Sequence, residues 1–202
     1  MKRLLLVCWV LLGLVSVPVF AAKEPQVLVQ ETSQLILAKL KQEKALLKAE
    51  PSRIYGLVNE IIIPHFDFEY MSQMVLAKYW RKATAEQRQA FTEEFKQLLV
   101  RTYATSLNEY ADQDIIYLPF RSGSNSAQVT VKTEIEQPGG FPVPIDYRLR
   151  QKEGVWKVFD VVIDAVSLVT NYRTSFSREI RQSGLDSLIN TLAKRNQEAG
   201  GQ

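Results

Sequence analysis

The chain has 202 residues, of which 46% are hydrophobic and 23% charged, and its net charge at pH 7 is +3. This length suits one domain or two small ones, and the composition excludes a collagen-like, low-complexity or wholly disordered chain. The positive charge is concentrated at the start, because Lys2 and Arg3 open the chain and no acidic residue precedes Glu24.

The first 21 residues are predicted to form a cleaved secretory signal peptide. Two basic residues precede an uncharged stretch over 4–22, which Pro18 breaks and which ends in the small residues Ala21 and Ala22. This order of features is typical of a signal peptide, and we expect cleavage after Ala21, or alternatively after Ala22. The uncharged stretch is also long enough for a membrane anchor, but Pro18 and the small residues favour cleavage.

Cleavage of the signal peptide would change the length, the net charge and the cysteine content of the chain. Removing 21 of 202 residues leaves 181, and losing Lys2 and Arg3 lowers the net charge from +3 to +1. The single cysteine, Cys8, would leave with the leader. The remaining chain could not be a thiol enzyme, a disulfide scaffold or a cysteine-ligated zinc protein, and it lacks the charge of a nucleic-acid binder. We expect one domain over 22–193 and a disordered polar tail over 194–202.

Apolar residues at helical spacing predict four helices before residue 111, with breaks at Pro51 and Pro64. The third of these helices is predicted over 67–80, and Thr84 with Gln87 matches a capping box at the start of the fourth. The stripes of the other three are Val29, Ile36, Leu40 and Leu47; Ile54, Val58, Ile61 and Ile62; and Phe91, Phe95, Leu98, Leu99, Tyr103, Leu107 and Tyr110.

The apolar period then changes from helix to strand. Runs over 115–120, 128–135, 143–150 and 155–163 predict four strands, separated by turn residues such as those at 138–140 and 153–154. Short turns favour an antiparallel meander. Helical spacing returns after Ser167, and Gly184 separates two C-terminal helices.

These elements predict an α+β fold with N-terminal helices, a curled four-stranded antiparallel sheet and C-terminal helices, enclosing an apolar pocket. A sheet that curls around helices tends to form a cone. Composition does not say whether side chains fill the interior of that cone.

Few residues are candidates for catalysis or for metal binding. His65 is the only histidine, so a histidine-based metal site is not expected, and neither a nucleophile-elbow motif nor a phosphate-binding glycine loop is present. Asp160 is placed by strand alternation on one face with Val158 and Val162, where burial would raise its pKa, as a general base requires. The alternative, which we favour, is a structural carboxylate that meets an arginine or caps a turn.

The chain resembles the MlaC proteins, also called toluene-tolerance family proteins. The resemblance rests on VSLV at 166–169, NYR at 171–173, Phe176 and GLDSLI at 184–189, and on Trp80, ATAEQR at 83–88, Phe91, Phe95, Tyr103 and WKVFDV at 156–161. It covers nearly the whole chain after the leader. Ala165 departs from the pattern, because the family often has glycine there.

The resemblance implies a periplasmic phospholipid carrier without enzymatic activity, and it favours the structural role for Asp160. Such carriers shuttle glycerophospholipids between an outer-membrane lipoprotein–porin complex and an inner-membrane ABC transporter with a hexameric substrate-binding protein, which maintains outer-membrane lipid asymmetry. We expect a monomer whose cargo is phospholipid, with no cofactor, metal or nucleic acid.

Lipid carriage would require a deep apolar pocket. About 30 methylenes at about 0.8 kcal/mol each would cost on the order of 25 kcal/mol in water, whereas the head group can stay at the mouth, so we expect tolerance of different head groups. The predicted lining residues are Leu99, Tyr103, Leu107, Val129, Val131, Ile135, Ile145, Tyr147, Leu149, Val158, Leu168, Val169, Tyr172 and Phe176. Two alternatives remain: an isomerase-like enzyme that uses Asp160, and a periplasmic adaptor with a filled core.

Overall fold

The structure is a computed structural model that describes residues 23–109, 112–120 and 126–200. The predicted signal peptide lies outside the described residues. Among the helices that are described, none is both long enough and apolar enough to cross a membrane.

The first half of the described chain is helical, as predicted. Its helices are α1 (Pro25–Gln42), α2 (Lys44–Ala49), α3 (Arg53–Ile61), α4 (Phe68–Leu76) and α5 (Ala85–Glu109), with 3-10 turns at Ile63–His65 and Ala77–Tyr79. The capping box is confirmed: the backbone N–H of Gln87 donates to Thr84 Oγ1 (3.2 Å), and that of Thr84 donates to Gln87 Oε1 (3.0 Å). This pair fixes the start of the long helix α5.

The sheet contains five antiparallel strands in the described part of the chain, one more than predicted. They are β1 (Ile115–Tyr117), β2 (Gln128–Ile135), β3 (Val143–Lys152), β4 (Val155–Ile163) and β5 (Val166–Ser167), in that spatial order. The additional strand has two residues, too few for an alternating pattern to reveal it, and it pairs with Val162 and Ile163. The α+β class is confirmed.

Strand β4 contains a β-bulge. Leu149 of β3 pairs with Val158, and the preceding Arg148 pairs with Asp160, so Phe159 has no partner on β3. An extra residue inverts the alternation of side chains beyond it. The prediction that Asp160 shares a face with Val158 is therefore wrong, because that prediction assumed unbroken alternation.

A tight turn joins β4 to β5 at Asp164 and Ala165, and Ala165 is the position where the sequence departs from the pattern it resembles. Asp164 and Ala165 both adopt positive φ angles, 47° and 63°. Glycine adopts this conformation without steric cost, whereas an alanine Cβ crowds the backbone. The glycine-like geometry is thus retained with alanine in place.

The C-terminal helices are α6 (Leu168–Ser183) and α7 (Leu185–Gly200), separated by Gly184 at φ 86°. The predicted disordered tail is wrong up to Gly200, because α7 continues through it. The cause is a polar contact: the buried Asn196 side chain donates to the backbone carbonyl (2.9 Å) and to the carboxylate (2.7 Å) of Glu94 on α5. Polar composition alone does not reveal such a partner.

Three groups of buried residues hold these layers together. The first joins α4, α5, α6 and α7 around Phe91, Phe95 and Phe176, and it also contains Phe159 from the bulge. The second joins α1, α2, α3 and α5. The third packs the inner face of the sheet against the start of α1 and Leu168. The space between the second and third groups contains the candidate site.

The contact of Asn196 predicts how the C-terminal helix is held. We expect Asn196→Ala to lower the free energy of unfolding by about 1–2 kcal/mol, because two hydrogen bonds are lost and Glu94 loses its partner. Asn190→Ala, at an exposed position of the same helix, is the matched control and should change stability by less than about 0.5 kcal/mol. Urea denaturation measures both, and equal effects would contradict the assignment.

Candidate functional site

An apolar cavity of about 410 Å³ lies between the inner face of the sheet and helices α1, α3 and α5. Its size falls within the range of small-ligand pockets. Helix α1 runs along it and contributes Leu28, Val29, Ile36 and Leu37, and the sheet contributes residues from β1, β2, β3 and β4. The wall is almost entirely hydrocarbon.

Eight of the fourteen predicted lining residues border this cavity, and six do not. Those that border it are Leu99, Tyr103, Leu107, Ile135, Ile145, Tyr147, Val158 and Leu168. Val129, Val131 and Leu149 pack instead within the third buried group, towards the other end of the sheet. Val169 and Phe176 belong to the first group, and Tyr172 packs against it.

Sequence reasoning missed the contribution of α1 and of the segment between α3 and α4. This segment, residues 62–68, brings Ile62, Ile63, His65, Phe66 and Phe68 to the cavity wall. The helical spacing predicts the apolar stripe of α1, but the predicted lining does not include its members Val29 and Ile36. Periodicity identifies the apolar face of a helix, but it does not distinguish a face against side chains from a face against a cavity.

Segment 62–68 is held beside β4 by backbone and charge contacts. Phe66 forms a parallel bridge with Val158, and the N–H of the following Asp67 donates to the Val158 carbonyl at 2.8 Å. The Asp67 carboxylate caps α4 and lies 3.5 Å from Arg150 Nε and 3.4 Å from Lys152 Nζ. These contacts fix His65 and Phe66 at the edge of the cavity.

Burial favours the uncharged forms of the ionisable side chains in the cavity wall. Burial raises the pKa of Tyr147 to about 12, an effect that the nearby hydroxyls of Thr133 and Ser33 only partly oppose. Burial also raises the pKa of Tyr103, with a further contribution from Tyr172. Burial lowers the pKa of His65, and Lys157 and Lys23 lower it further. The cavity therefore presents an uncharged surface at neutral pH.

Asp160 is fully buried but does not border the cavity, because the bulge turns it to the other face of the sheet. Its Oδ2 accepts from Ser167 Oγ (2.6 Å) and from Arg148 Nη1 (3.1 Å), and its Oδ1 accepts from the Val169 N–H (3.1 Å). Ser167 in turn accepts from the Thr170 N–H at 3.1 Å. The predicted structural role, meeting an arginine and capping a turn, is confirmed.

Comparisons with known proteins point to one family. Residues 30–194 match the sequence model of the family described as MlaC protein. The toluene tolerance protein ttg2D of Pseudomonas putida is 32% identical over 178 residues, which are 88% of this chain and 82% of that protein. The intermembrane phospholipid transport system binding protein MlaC of Haemophilus influenzae is 26% identical over 182 residues, covering 89% of this chain and 85% of that protein.

A solved structure shares the fold. It is the phospholipid-binding protein from Ralstonia solanacearum in complex with a phospholipid, with a TM-score of 0.80 and 31% sequence identity. The similarity covers 88% of this chain and 99% of that one. The resemblance drawn from the sequence is thereby confirmed.

The environment of Asp160 predicts a purely structural effect of its removal. We expect Asp160→Ala to lower the free energy of unfolding by about 2–3 kcal/mol, because α6 loses a cap and buried donors lose their acceptor. Asp146→Ala, on the same outer face of the sheet, is the control and should change stability by less than about 0.5 kcal/mol. Thermal and urea denaturation measure both, and an unchanged stability of Asp160→Ala would contradict this role.

Proposed function

This chain belongs to the MlaC protein family, and on that premise we propose that it is a periplasmic phospholipid carrier that holds acyl chains in the apolar cavity. The observation that supports this function is the cavity itself, a space of about 410 Å³ lined by hydrocarbon from α1, α3, α5 and the sheet. The name of the Haemophilus relative and the phospholipid bound by the Ralstonia protein support the same cargo.

The energetics of the interior favour a hydrocarbon ligand. Apolar side chains that face this space lack contact partners on that side, so the wall forgoes dispersion contacts that a packed core would make. Acyl chains would regain the lost contacts and would themselves leave water, so both partners gain from binding.

The two alternative functions are less well supported. A filled-core adaptor would pack its interior with side chains, whereas this interior contains the cavity. An isomerase-like enzyme would need the Asp160 carboxylate in the pocket, whereas that carboxylate is buried on the other face of the sheet. We propose that the protein is a carrier and not an enzyme.

The cellular role extends this proposal. We propose export through the predicted signal peptide and shuttling of glycerophospholipid between an outer-membrane lipoprotein–porin complex and an inner-membrane ABC transporter. A monomeric carrier with transient docking suits such a cycle, because tight binding to either complex would trap it. The relatives named for toluene tolerance and for intermembrane phospholipid transport support this setting.

Native mass spectrometry of protein purified from a bacterial periplasm tests the proposed function. We expect a bound mass that organic extraction identifies as glycerophospholipid at a defined stoichiometry. Delipidated protein should take up phospholipid again from vesicles. An apo mass together with no uptake from vesicles would overturn the carrier function.

A cavity-filling substitution tests the location of the acyl chains. Ile145→Trp adds a large ring to the cavity wall and should reduce the fraction of protein that carries phospholipid severalfold, because the ring competes for the same space. Lys132→Trp on β2, whose side chain lies on the exposed face of the sheet, is the control and should load normally. Circular dichroism verifies folding of both, and full loading of folded Ile145→Trp would place the chains elsewhere.

A further inference from the structure

The connection from α4 to α5, together with the first turn of α5, is rich in cations. We call residues 77–88 the basic segment. Glu86 is its single acidic residue, and the sequence has no other acidic residue between Glu69 and Glu86. Among the residues that the structure describes, no carboxylate forms an ion pair with a cation of this segment. Its cations are Lys78, Arg81, Lys82 and Arg88.

The backbone of the basic segment has a defined shape. Ala77, directly after α4, adopts a φ of 50°, which a side chain other than glycine tolerates only where its surroundings impose it. The N–H groups of Lys82 and Ala83 both donate to the Tyr79 carbonyl oxygen at 3.0 Å, and Ala83 is buried. Binding therefore does not require this backbone to become ordered first, which lowers its entropic cost.

Two aromatic side chains anchor the basic segment to the helical core. Tyr79 and Trp80 are half-buried and pack against the first buried group. Arg88 Nε donates to the Trp80 carbonyl oxygen at 3.0 Å, and its guanidinium lies 5.4 Å from the centre of the Trp80 ring. Lys78 Nζ lies 5.2 Å from the centre of the Tyr79 ring. Lysine and arginine beside tryptophan and tyrosine are typical of protein surfaces that contact the head groups of a bilayer.

Neighbouring elements do not neutralise the positive charge. Arg173 of α6 donates to the Met74 carbonyl oxygen at 2.8 Å, which adds a cation beside the end of α4. Asp186 at the start of α7 accepts from Gln87 Nε2 at 2.7 Å. The four cations of the segment and Arg173 thus stand against two carboxylates, Glu86 and Asp186.

The basic segment and the cavity lie at different ends of α5. The segment contains the start of this helix, whose 25 residues span about 37 Å. The cavity borders its second half, from Leu99 to Leu107, and Asp114 and Glu136 border a surface groove beyond its other end. An anionic surface would therefore attract the end of the molecule that lies away from the cavity.

We propose that the basic segment is a contact surface for anionic lipid bilayers, which binds phosphate groups at the membrane surface and leaves the cavity directed away from the bilayer. This inference goes beyond the proposed function and does not depend on it, because no residue of the segment borders the cavity. Lysine and arginine donate charge-assisted hydrogen bonds to phosphate. Their summed attraction to a charged surface does not require a fixed position for each group, which suits exposed cations on long side chains.

Vesicle flotation measures this contact separately from lipid loading. Protein purified from a bacterial periplasm is mixed with vesicles of phosphatidylcholine, or of phosphatidylcholine and phosphatidylglycerol in equal parts. We expect the protein to float with the vesicles that contain phosphatidylglycerol and to be released as sodium chloride is raised, because salt screens exposed charges. Native mass spectrometry reports the lipid that each sample carries, and loaded and delipidated protein should float equally.

A triple variant tests whether the basic segment makes the contact. Replacing its exposed cations by Lys78→Gln, Arg81→Gln and Lys82→Gln should weaken binding to the anionic vesicles by about a hundredfold, because each such cation contributes about fivefold. The matched control replaces three exposed lysines of α1, α2 and β2, by Lys41→Gln, Lys48→Gln and Lys132→Gln. It removes the same charge and should weaken binding by less than about threefold. Circular dichroism verifies folding of both.

Each contrary result has a distinct meaning. Equal flotation with both kinds of vesicle, or equal losses in the triple variant and its control, would overturn the proposal. Release by inorganic phosphate where sodium chloride of the same ionic strength has no effect would identify a free-anion site and would also overturn it. No flotation of protein that loads phospholipid normally would leave the carrier function standing and point to an acidic protein as the partner. Flotation of protein that never loads phospholipid would support this inference and overturn the carrier function.

Discussion

The β-bulge at Phe159 is the feature on which the arrangement of the interior depends. Because of the bulge, three consecutive residues of β4 lie in three different environments. Val158 lines the cavity, Phe159 packs in the helical core, and Asp160 caps α6. A regular strand would direct Asp160 to the same face as Val158, into a hydrocarbon wall where a carboxylate is strongly disfavoured. The extra residue therefore separates the polar anchor of the C-terminal helices from the apolar space that the sheet encloses.

That separation explains how the domain can keep a cavity and remain folded. Its closed packing is concentrated in the first buried group, where four helices interdigitate around stacked and edge-to-face phenylalanine rings, including Phe91, Phe95 and Phe176. The cavity lies on the other side of β4, where α1 and α3 face the sheet across a space. Dense packing of the helices on one side of β4 stabilises the domain, and the space on the other side remains available for a ligand. Binding regions are commonly built in this way, on a rigid scaffold.

The sequence predicted local structure well and the interior less well, for a physical reason. Thr84 with Gln87, the stripe that includes Ile36 and Leu40, and the break at Gly184 depend on neighbours within a few residues, and the structure agrees with each. The face of Asp160 depends on a bulge that only the pairing of β3 with β4 defines. Likewise, Val131 and Ile135 have the same apolar pattern on β2, but only Ile135 borders the cavity, because three-dimensional packing decides which end of a sheet face is covered.

Affinity and orientation have different physical origins in such a cavity. The hydrocarbon wall attracts acyl chains without direction, since burial of apolar surface depends on area and hardly on angle. A cavity of this kind therefore selects its ligand by apolar area rather than by the position of individual groups, so acyl chains of varied length and unsaturation can fill it. Direction has to come from polar groups outside the hydrocarbon wall, because hydrogen bonds and charge interactions depend on distance and angle.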